Sequence, residues 1–194
     1  EDNALGTESG RIVLGSQTLD ALGYEDCPAH PAWIEPVEWL GAADAAEQFH
    51  LISHQPEGRL HSQLETSAAS MAAKRSGREQ ARLHPQDAAE LGIADGQTIR
   101  LWNKRGASLA TARLTDDVRR RVVVLPTGAW FTPTGNSGLD IAGNPNVLTV
   151  DIGTSRFGQG CSAHTCLVRV EPYEGEARDA IEQYREQMER LVAV

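Results

Sequence analysis

Three histidines lie close together in the first third of the chain, and the histidine imidazole is a common metal ligand. His50 and His54 are spaced i,i+4, as in the helix of a zinc metalloprotease, and His61 follows seven residues later. The glutamate that this motif places between its histidines is absent, and His50 falls in an alternating, strand-like pattern. We therefore interpret His61 as a polar contact on a loop rather than as a zinc ligand.

Cys161, His164 and Cys166 place three soft ligands within six residues of the sequence. Structural zinc takes four protein ligands, and Cys27 is the only other thiol in the chain. The spacing also differs from the paired Cys-x-x-Cys pattern of zinc knuckles. The pattern therefore favours small buried cysteines beside a strand, and we predict no metal ligand in this chain.

A glycine-rich loop covers residues 153–160 and could present backbone N–H groups to a phosphate. Residues 158–163 match the GxGxxG/A dinucleotide pattern formally, but a strand-like run follows where that pattern requires a helix. Gly153 and Gly158 resemble half of a P-loop, but Gln159 stands where a lysine is required. The sequence contains no GxSxG motif and no catalytic pair of carboxylates. We therefore predict polar ligand loops and no catalytic residue.

The composition is that of a folded domain, with or without an extra segment, rather than of a disordered chain. The 194 residues include 40% hydrophobic types, and the formal net charge is −9. That charge argues against general nucleic-acid binding, and no apolar run reaches the roughly 20 residues of a membrane span. Residues 74–121 are locally basic, with eleven basic and six acidic residues. This segment could meet an anionic ligand, although a solvated mixed-charge surface is the simpler interpretation.

Hydrophobic patterning predicts many short strands and few helices. Residues 15–48 read as a long ordered loop with a helical turn or two, pinned by Trp33 and Trp39. Modest helix propensity covers residues 59–73, and an amphipathic helix is predicted over 174–194. Strands are predicted at residues 11–14, 49–53, 81–84, 98–102, 107–114, 121–125 and 165–170, with a helix at 85–91. Short strands at this spacing indicate a mainly β fold built as a small barrel.

A set of short motifs, in a fixed order, covers most of residues 8–173. The most specific is Gly-Asn-Pro-Asn-Val-Leu-Thr at residues 143–149. The others are Pro31-Ala-Trp-x-Glu-Pro36, Glu38-Trp-Leu-Gly41, Arg59-Leu-His-Ser-Gln-Leu64, His84-Pro-x-Asp-Ala88, Gly92-Ile-x-Asp-Gly96, Asn103-x-Arg-Gly106, Gly128-Ala-Trp130, Asp151-x-Gly-Thr-Ser155 and Gln159-Gly160. The set resembles the C-terminal domain of the dimethyl sulfoxide reductase family of molybdenum enzymes. Within that family it is most similar to the biotin sulfoxide, trimethylamine N-oxide and dimethyl sulfoxide reductases.

This resemblance implies a six-stranded double-psi β-barrel with short helices and a C-terminal helix. Residues 1–48 would be an extended segment from a preceding domain, 49–173 the barrel, and 174–194 the helix. The barrel would bind bis(molybdopterin guanine dinucleotide) with molybdenum, a polyanionic, amide-rich cofactor that needs amides, imidazoles and backbone donors. The cofactor-binding residues implied are Arg59, His61, Ser62, Gln63, Asn103, Arg105, Trp130, Asn144, Asn146 and Gln159.

The resemblance assigns these residues to different parts of the cofactor. Residues 59–63 would line the pterin and its phosphates, and Asn103 with Arg105 would reach a tail phosphate. Asn144 and Asn146 would offer paired amide donors and acceptors to a pterin or guanine edge. Without the resemblance, turn chemistry is the favoured explanation of Asn103 and Asn144.

In this family the molybdenum ligand, a serine, cysteine or selenocysteine, belongs to an earlier domain, as do much of the substrate funnel and any iron–sulfur cysteines. The resemblance therefore implies a chain that is inactive alone, either an excised C-terminal domain or a separate subunit of a split enzyme. Its partners would be the preceding domains of that enzyme and a small S-oxide or N-oxide, reduced by oxygen-atom transfer. The alternative is a stand-alone double-psi barrel that binds a phosphate, a nucleotide or a protein without catalysis.

Overall fold

The computed structural model describes residues 3–42, 45–135 and 137–193. The chain forms two compact units. The first combines Glu1–Val37 with Asp151–Ser162, and the second combines Glu38–Val150 with Ala163–Val194. Within the described ranges, every β-strand and every α-helix but one belongs to the second unit.

The second unit is a closed barrel. In chain order the elements are α1 (Gln17–Leu22) of the first unit, then β1 (Phe49–Ile52), α2 (Ala68–Ala72), β2 (Gln80–Leu83), α3 (Pro85–Leu91), β3 (Thr98–Trp102), β4 (Ala107–Leu114), β5 (Val122–Val124), β6 (Pro133–Thr134), β7 (Leu139–Asp140), a 3-10 helix (Pro145–Val147), β8 (Leu167–Pro172) and α4 (Ala180–Val192). The sheet order is β2-β5-β1-β8-β3-β4-β7-β6, and β2 also pairs with β4. That extra pairing closes six strands into a barrel, with β7 and β6 attached beside β4. The predicted six-stranded double-psi β-barrel is confirmed.

Two parallel pairs, β1 with β5 and β2 with β4, are joined around the barrel by antiparallel pairs. Because side chains alternate between the faces of a strand, every second residue enters the core. Leu51 of β1 lies opposite Val123 of β5, and both are fully buried with Leu83, Ile99 and Leu101. Closure pairs both edges of the six-stranded sheet, so the barrel holds its connecting loops on a rigid frame.

Local signals placed the central elements correctly. The strands predicted at 98–102 and 107–114 and the helix predicted at 85–91 have the observed bounds. His84 caps α3 by accepting the Gln86 N–H on its ring nitrogen, and Gly92 ends the helix in the left-handed conformation at φ +68°. These boundaries depend on neighbours in sequence, and the sequence therefore predicts them well.

Two sequence-based predictions at the ends of the chain were wrong. Residues 11–14 form no strand, and Ile12 and Leu14 are 77% and 75% exposed. A strand needs a paired neighbour, and a short apolar run in the sequence does not supply one. The C-terminal helix begins at Ala180 rather than at residue 174, because the Asp179 side chain caps it there.

Helical structure is also sparser than propensity predicted in the segment before β2. Of residues 59–73, only Ala68–Ala72 forms an α-helix, capped by the Ser67 hydroxyl. The preceding residues are held in turns by tertiary contacts that override their propensity. None of the helices in the described ranges is long and apolar enough to cross a membrane.

Candidate cofactor-binding site

The loop at residues 59–65, between β1 and α2, presents three polar side chains to solvent. His61, Ser62 and Gln63 are all exposed. The loop turns sharply because His61 and Leu64 adopt the left-handed conformation, at φ +50° and +55°. The chain thus places an imidazole, a hydroxyl and an amide side by side. Together these groups can donate to and accept from a polar ligand.

Arg59, at the start of this loop, points inward, and its side chain is only 1% exposed. Its guanidinium contacts Glu65 at 2.9 Å and Glu79 at 2.6 Å, and its Nε donates to the His61 carbonyl at 3.1 Å. Lys74 bridges the same two carboxylates at 2.8 and 2.6 Å. These four residues, the buried ionic cluster, balance in charge and hold the loop from beneath. Direct contact between Arg59 and a ligand stays a prediction.

A second loop packs on the first and depends on a glycine. Gly128 has φ +94°, and a Cβ added there would collide with the carbonyl oxygen of His61. Two residues on, Trp130 donates its indole N–H to the Ser62 carbonyl at 2.9 Å. The Trp130 ring packs on Tyr184 of α4, with ring centroids 4.7 Å apart. The structure therefore brings Trp130 next to the exposed polar loop.

The segment after β7 is organised by the buried carboxylate of Asp140. It accepts hydrogen bonds from the Ser108 hydroxyl and from the backbone N–H groups of Thr132, Gly143 and Asn144. The Asn144 Oδ1 accepts the Asn146 N–H at 2.9 Å and so starts the 3-10 helix. This is the turn chemistry that the residues alone favoured. The Asn146 side chain is exposed, and contact of either asparagine with a ligand stays a prediction.

Asn103 and Arg105 connect the β3–β4 turn to the rest of the barrel. The Asn103 amide donates to the carbonyls of Leu148 and Leu167, at 2.8 and 3.1 Å. Its Oδ1 accepts the Arg105 N–H at 2.9 Å. The Arg105 guanidinium forms a bidentate pair with Glu38, at 2.5 and 2.8 Å. Both side chains therefore have structural partners, and their contact with a tail phosphate stays a prediction.

Cys166 lies fully buried beneath this turn. Its thiol donates to the Leu148 carbonyl at 3.2 Å. Burial raises the pKa of Cys166 to about 11, although the nearby Arg105 acts in the opposite direction. The thiol is therefore protonated at neutral pH and inert as a metal ligand. In the described part of the chain, no group of three or more His, Cys, Asp or Glu side chains is placed to hold a metal ion.

The Glu38–Arg105 pair should make part of the stability depend on pH. Burial disfavours ionised Glu38, but hydrogen bonds from Arg105 and the Leu167 N–H outweigh it, and the pKa of Glu38 is lowered. A lowered folded-state pKa stabilises the fold above the unfolded value of about 4.3, and that stabilisation is lost as the pH falls through the folded value. We expect Glu38→Gln to be less stable than the parent at pH 7, with the difference shrinking by about pH 3. Urea unfolding at both pH values measures it, and an equal difference at both would contradict the assignment.

Gln159 belongs to the first unit, where it lies in a tight hairpin. Gly153 pairs with Cys161, and the Ser155 N–H donates to the Gly158 carbonyl at 3.0 Å. The exposed Gln159 side chain folds back and donates to the Ser155 carbonyl at 2.6 Å. A contact between this amide and a ligand stays a prediction.

Sequence reasoning missed the residues that support these loops. They are Glu38, Gln55, Glu65, Lys74, Glu79, Asp140 and Gly128 in its role as a contact. The partners of these residues lie 3 to 129 positions away, and most pairs follow no helical or strand period. Two of them stand in motifs quoted above: Glu38 in Glu38-Trp-Leu-Gly41, and Gly128 in Gly128-Ala-Trp130, where a required glycine predicts a close backbone approach.

The closed six-stranded barrel with its two parallel pairs defines this protein as a double-psi β-barrel domain. The model of the family described as "Molydopterin dinucleotide binding domain" matches residues 49–167. The chain belongs to this family, whose description specifies a molybdopterin dinucleotide as the cofactor.

Named relatives extend the match beyond the barrel. The chain is 67% identical over 180 residues to biotin sulfoxide reductase of Cereibacter sphaeroides, covering 93% of this chain and 24% of that protein. It is 42% identical over 176 residues to the dimethyl sulfoxide/trimethylamine N-oxide reductase of the same organism, covering 89% and 21%. The chain thus spans about a quarter of the length of the curated relatives it matches. Among solved structures, acetylene hydratase from Pelobacter acetylenicus shares the fold, with a TM-score of 0.68, 21% identity and coverage of 88% and 24%.

The exposed polar side chains of the candidate site fit this cofactor, because they carry hydrogen-bond donors. The exposed side chains His61, Ser62, Gln63 and Asn146 include no carboxylate, and the nearby buried charges are paired with each other. Imidazole, hydroxyl and amide groups can both donate to and accept from the ring amides of a pterin or guanine. An exposed carboxylate in their place would repel its phosphates.

Proposed function

We propose that this chain is the C-terminal cofactor-binding domain of a molybdenum oxidoreductase that holds bis(molybdopterin guanine dinucleotide) and reduces S-oxides or N-oxides by oxygen-atom transfer. The observation that carries the proposal is the 67% identity over 93% of the chain to a biotin sulfoxide reductase. The polar donors of the exposed loop support it independently. The preceding domains of the larger enzyme would be the partner, and they would supply the molybdenum ligand and the oxide pocket.

In this proposal the chain's own residues bind and orient, and none performs the chemistry. The molybdenum carried by the cofactor supplies the two-electron chemistry when bound. His61, Ser62 and Gln63 donate to polar atoms of the ligand, and Asn144 and Asn146 add amide groups from the neighbouring segment. Trp130 lies beside this group of residues, and its indole N–H donates a hydrogen bond to the Ser62 carbonyl. The isolated chain is therefore expected to be inactive.

A paired substitution in the complete enzyme tests the proposal. We expect His61→Ala with Asn144→Ala to lower bound molybdenum and bound pterin at least tenfold, because two binding groups are lost on one face of the ligand. Elemental analysis and fluorescence of the oxidised, released pterin measure the two contents. Hydrolysis of the released cofactor frees its nucleotide, and the base of that nucleotide should prove to be guanine.

The control for the side-chain types is His30→Ala with Asn3→Ala, at exposed positions of the first unit. Asn144 is itself buried and caps the 3-10 helix, so urea unfolding of both double variants separates lost binding from lost folding. This control should keep its full cofactor content. A His61/Asn144 variant that is fully loaded and active would refute the site. If the protein carrying this segment proved no larger than this chain and free of molybdenum, the non-catalytic binding module would replace the reductase.

A further inference from the structure

One glutamine side chain holds both the backbone and the ring of His61. The Gln55 Oε1 accepts the His61 backbone N–H at 3.0 Å. The Gln55 Nε2 lies 2.8 Å from the His61 Nδ1. Gln55 therefore contacts His61, six positions further along the chain, twice: once through its amide oxygen and once through its amide nitrogen.

The identity of each atom in this bridge follows from the backbone. A backbone N–H can only donate, so the atom that faces it must be the amide oxygen. The amide nitrogen then faces the His61 ring and, as an NH₂ group, can only donate. A proton on Nδ1 would point at these hydrogens. The ring nitrogen Nδ1 must therefore accept, and the ring proton must lie on Nε2.

We propose that Gln55 is a positioning residue that fixes His61 in the Nε2–H tautomer and so makes it a hydrogen-bond donor to an acceptor atom of the ligand. Within the described residues the His61 Nε2 has no hydrogen-bond partner, and the side chain is exposed. The free donor is therefore available to a carbonyl or phosphate oxygen. The ligand role of His61 rests on the proposed function, whereas the tautomer does not.

The rest of the loop makes this donor rigid. The His61 carbonyl accepts from the Arg59 Nε at 3.1 Å, and Gly128 packs directly against that carbonyl. The backbone is thus held at its N–H by Gln55 and at its carbonyl by Arg59. With Nδ1 also anchored, the direction of the Nε2–H bond is set before any ligand arrives, which lowers the ordering cost of binding.

Reversing the polarity of the bridge tests the tautomer directly. In Gln55→Glu, one carboxylate oxygen still accepts the His61 N–H, but the other now requires a proton on Nδ1. We expect long-range ¹H–¹⁵N correlation spectra of the chain with ¹⁵N-labelled histidine, at about pH 9 where imidazole is neutral, to show the proton on Nε2 in the parent. They should show it mainly on Nδ1 in Gln55→Glu. A His61→Gln variant assigns the signals.

Gln97→Glu is the matched control, since it makes the same change at another glutamine whose Oε1 accepts a backbone N–H, that of Ala94 at 2.9 Å. It should leave the His61 tautomer unchanged. The proposal is overturned if the parent carries its proton on Nδ1 or if Gln55→Glu leaves the spectrum unchanged.

Cofactor content of the complete enzyme separates this inference from the function on which it rests. We expect Gln55→Glu to lower bound pterin at least tenfold and Gln97→Glu to leave it unchanged. A reversed tautomer with full cofactor content would reject the ligand role of His61 and leave the positioning by Gln55 established. Lost cofactor without a reversed tautomer would reject the positioning role and leave the cofactor site standing.

Discussion

Replacing Glu79 by glutamine is expected to lower the free energy of unfolding by about 3 to 5 kcal/mol, because it leaves two buried cations with one carboxylate. Glu79 is 2% exposed and contacts Arg59 and Lys74, each at 2.6 Å. Arg59 is also the donor that holds the His61 carbonyl, so the loop should lose its fixed conformation as well. Urea denaturation of the chain at pH 7 measures the loss.

The control is Glu47→Gln, which removes a carboxylate from the exposed pair with Arg169, whose atoms are 3.1 Å apart. Exposed pairs contribute about 0 to 1 kcal/mol, so this variant should unfold almost as the parent does. Equal losses in the two variants would mean that the ionic cluster is not closed to water. In that case the loop would need another source of rigidity.

Substituting alanine at Gly128 is expected to lower the free energy of unfolding by about 2 to 5 kcal/mol, the sum of left-handed strain and overpacking. The added methyl group would meet the His61 carbonyl oxygen, which cannot move without breaking its hydrogen bond from Arg59. The displaced loop should also bind less cofactor, and we expect at least a tenfold lower content in the complete enzyme. Thermal or urea unfolding and pterin content are the measurements.

Gly92→Ala separates the two contributions. Gly92 has φ +68°, close to the left-handed conformation of Gly128, but no atom lies within 4 Å of an added Cβ. It should therefore show only the conformational cost, about 1 to 2 kcal/mol, and normal cofactor content. If both glycine variants lost the same stability and kept their cofactor, the contact between the two loops would not matter for the site.

The family resemblance alone suggested which residues face the proposed ligand, and their contact with it stays a prediction. His61, Ser62 and Gln63 were expected at a ligand and are exposed on one loop. Arg59 was expected to face phosphates, yet its guanidinium lies inside, paired with Glu65 and Glu79. A sequence does not distinguish an arginine that meets a ligand from one that supports the loop presenting it. Only the positions of the carboxylates decide between the two.

The same division applies to the asparagines. Asn103 and Asn144 were ambiguous between turn chemistry and ligand contact, and their local hydrogen bonds to Arg105 and Asn146 are those of turns. The sequence did not predict the hydrogen bonds from the Asn103 side chain to other strands and loops of the barrel, because their acceptors lie 45 and 64 residues away. Loop closure over such distances is set by the fold and leaves no periodic signal.

The sequence by itself determined the family, the barrel and the elements whose limits are local. β3, β4 and α3 begin and end where turns, caps and alternation specify, because these effects act within a few residues. Only the tertiary structure decided which polar groups face solvent and which support them. Gln55 against His61, the buried ionic cluster and Gly128 against the His61 carbonyl join distant segments. The free energy of each of these contacts depends on how deeply its groups are buried and on which groups face each other. Both are determined only once the barrel has closed.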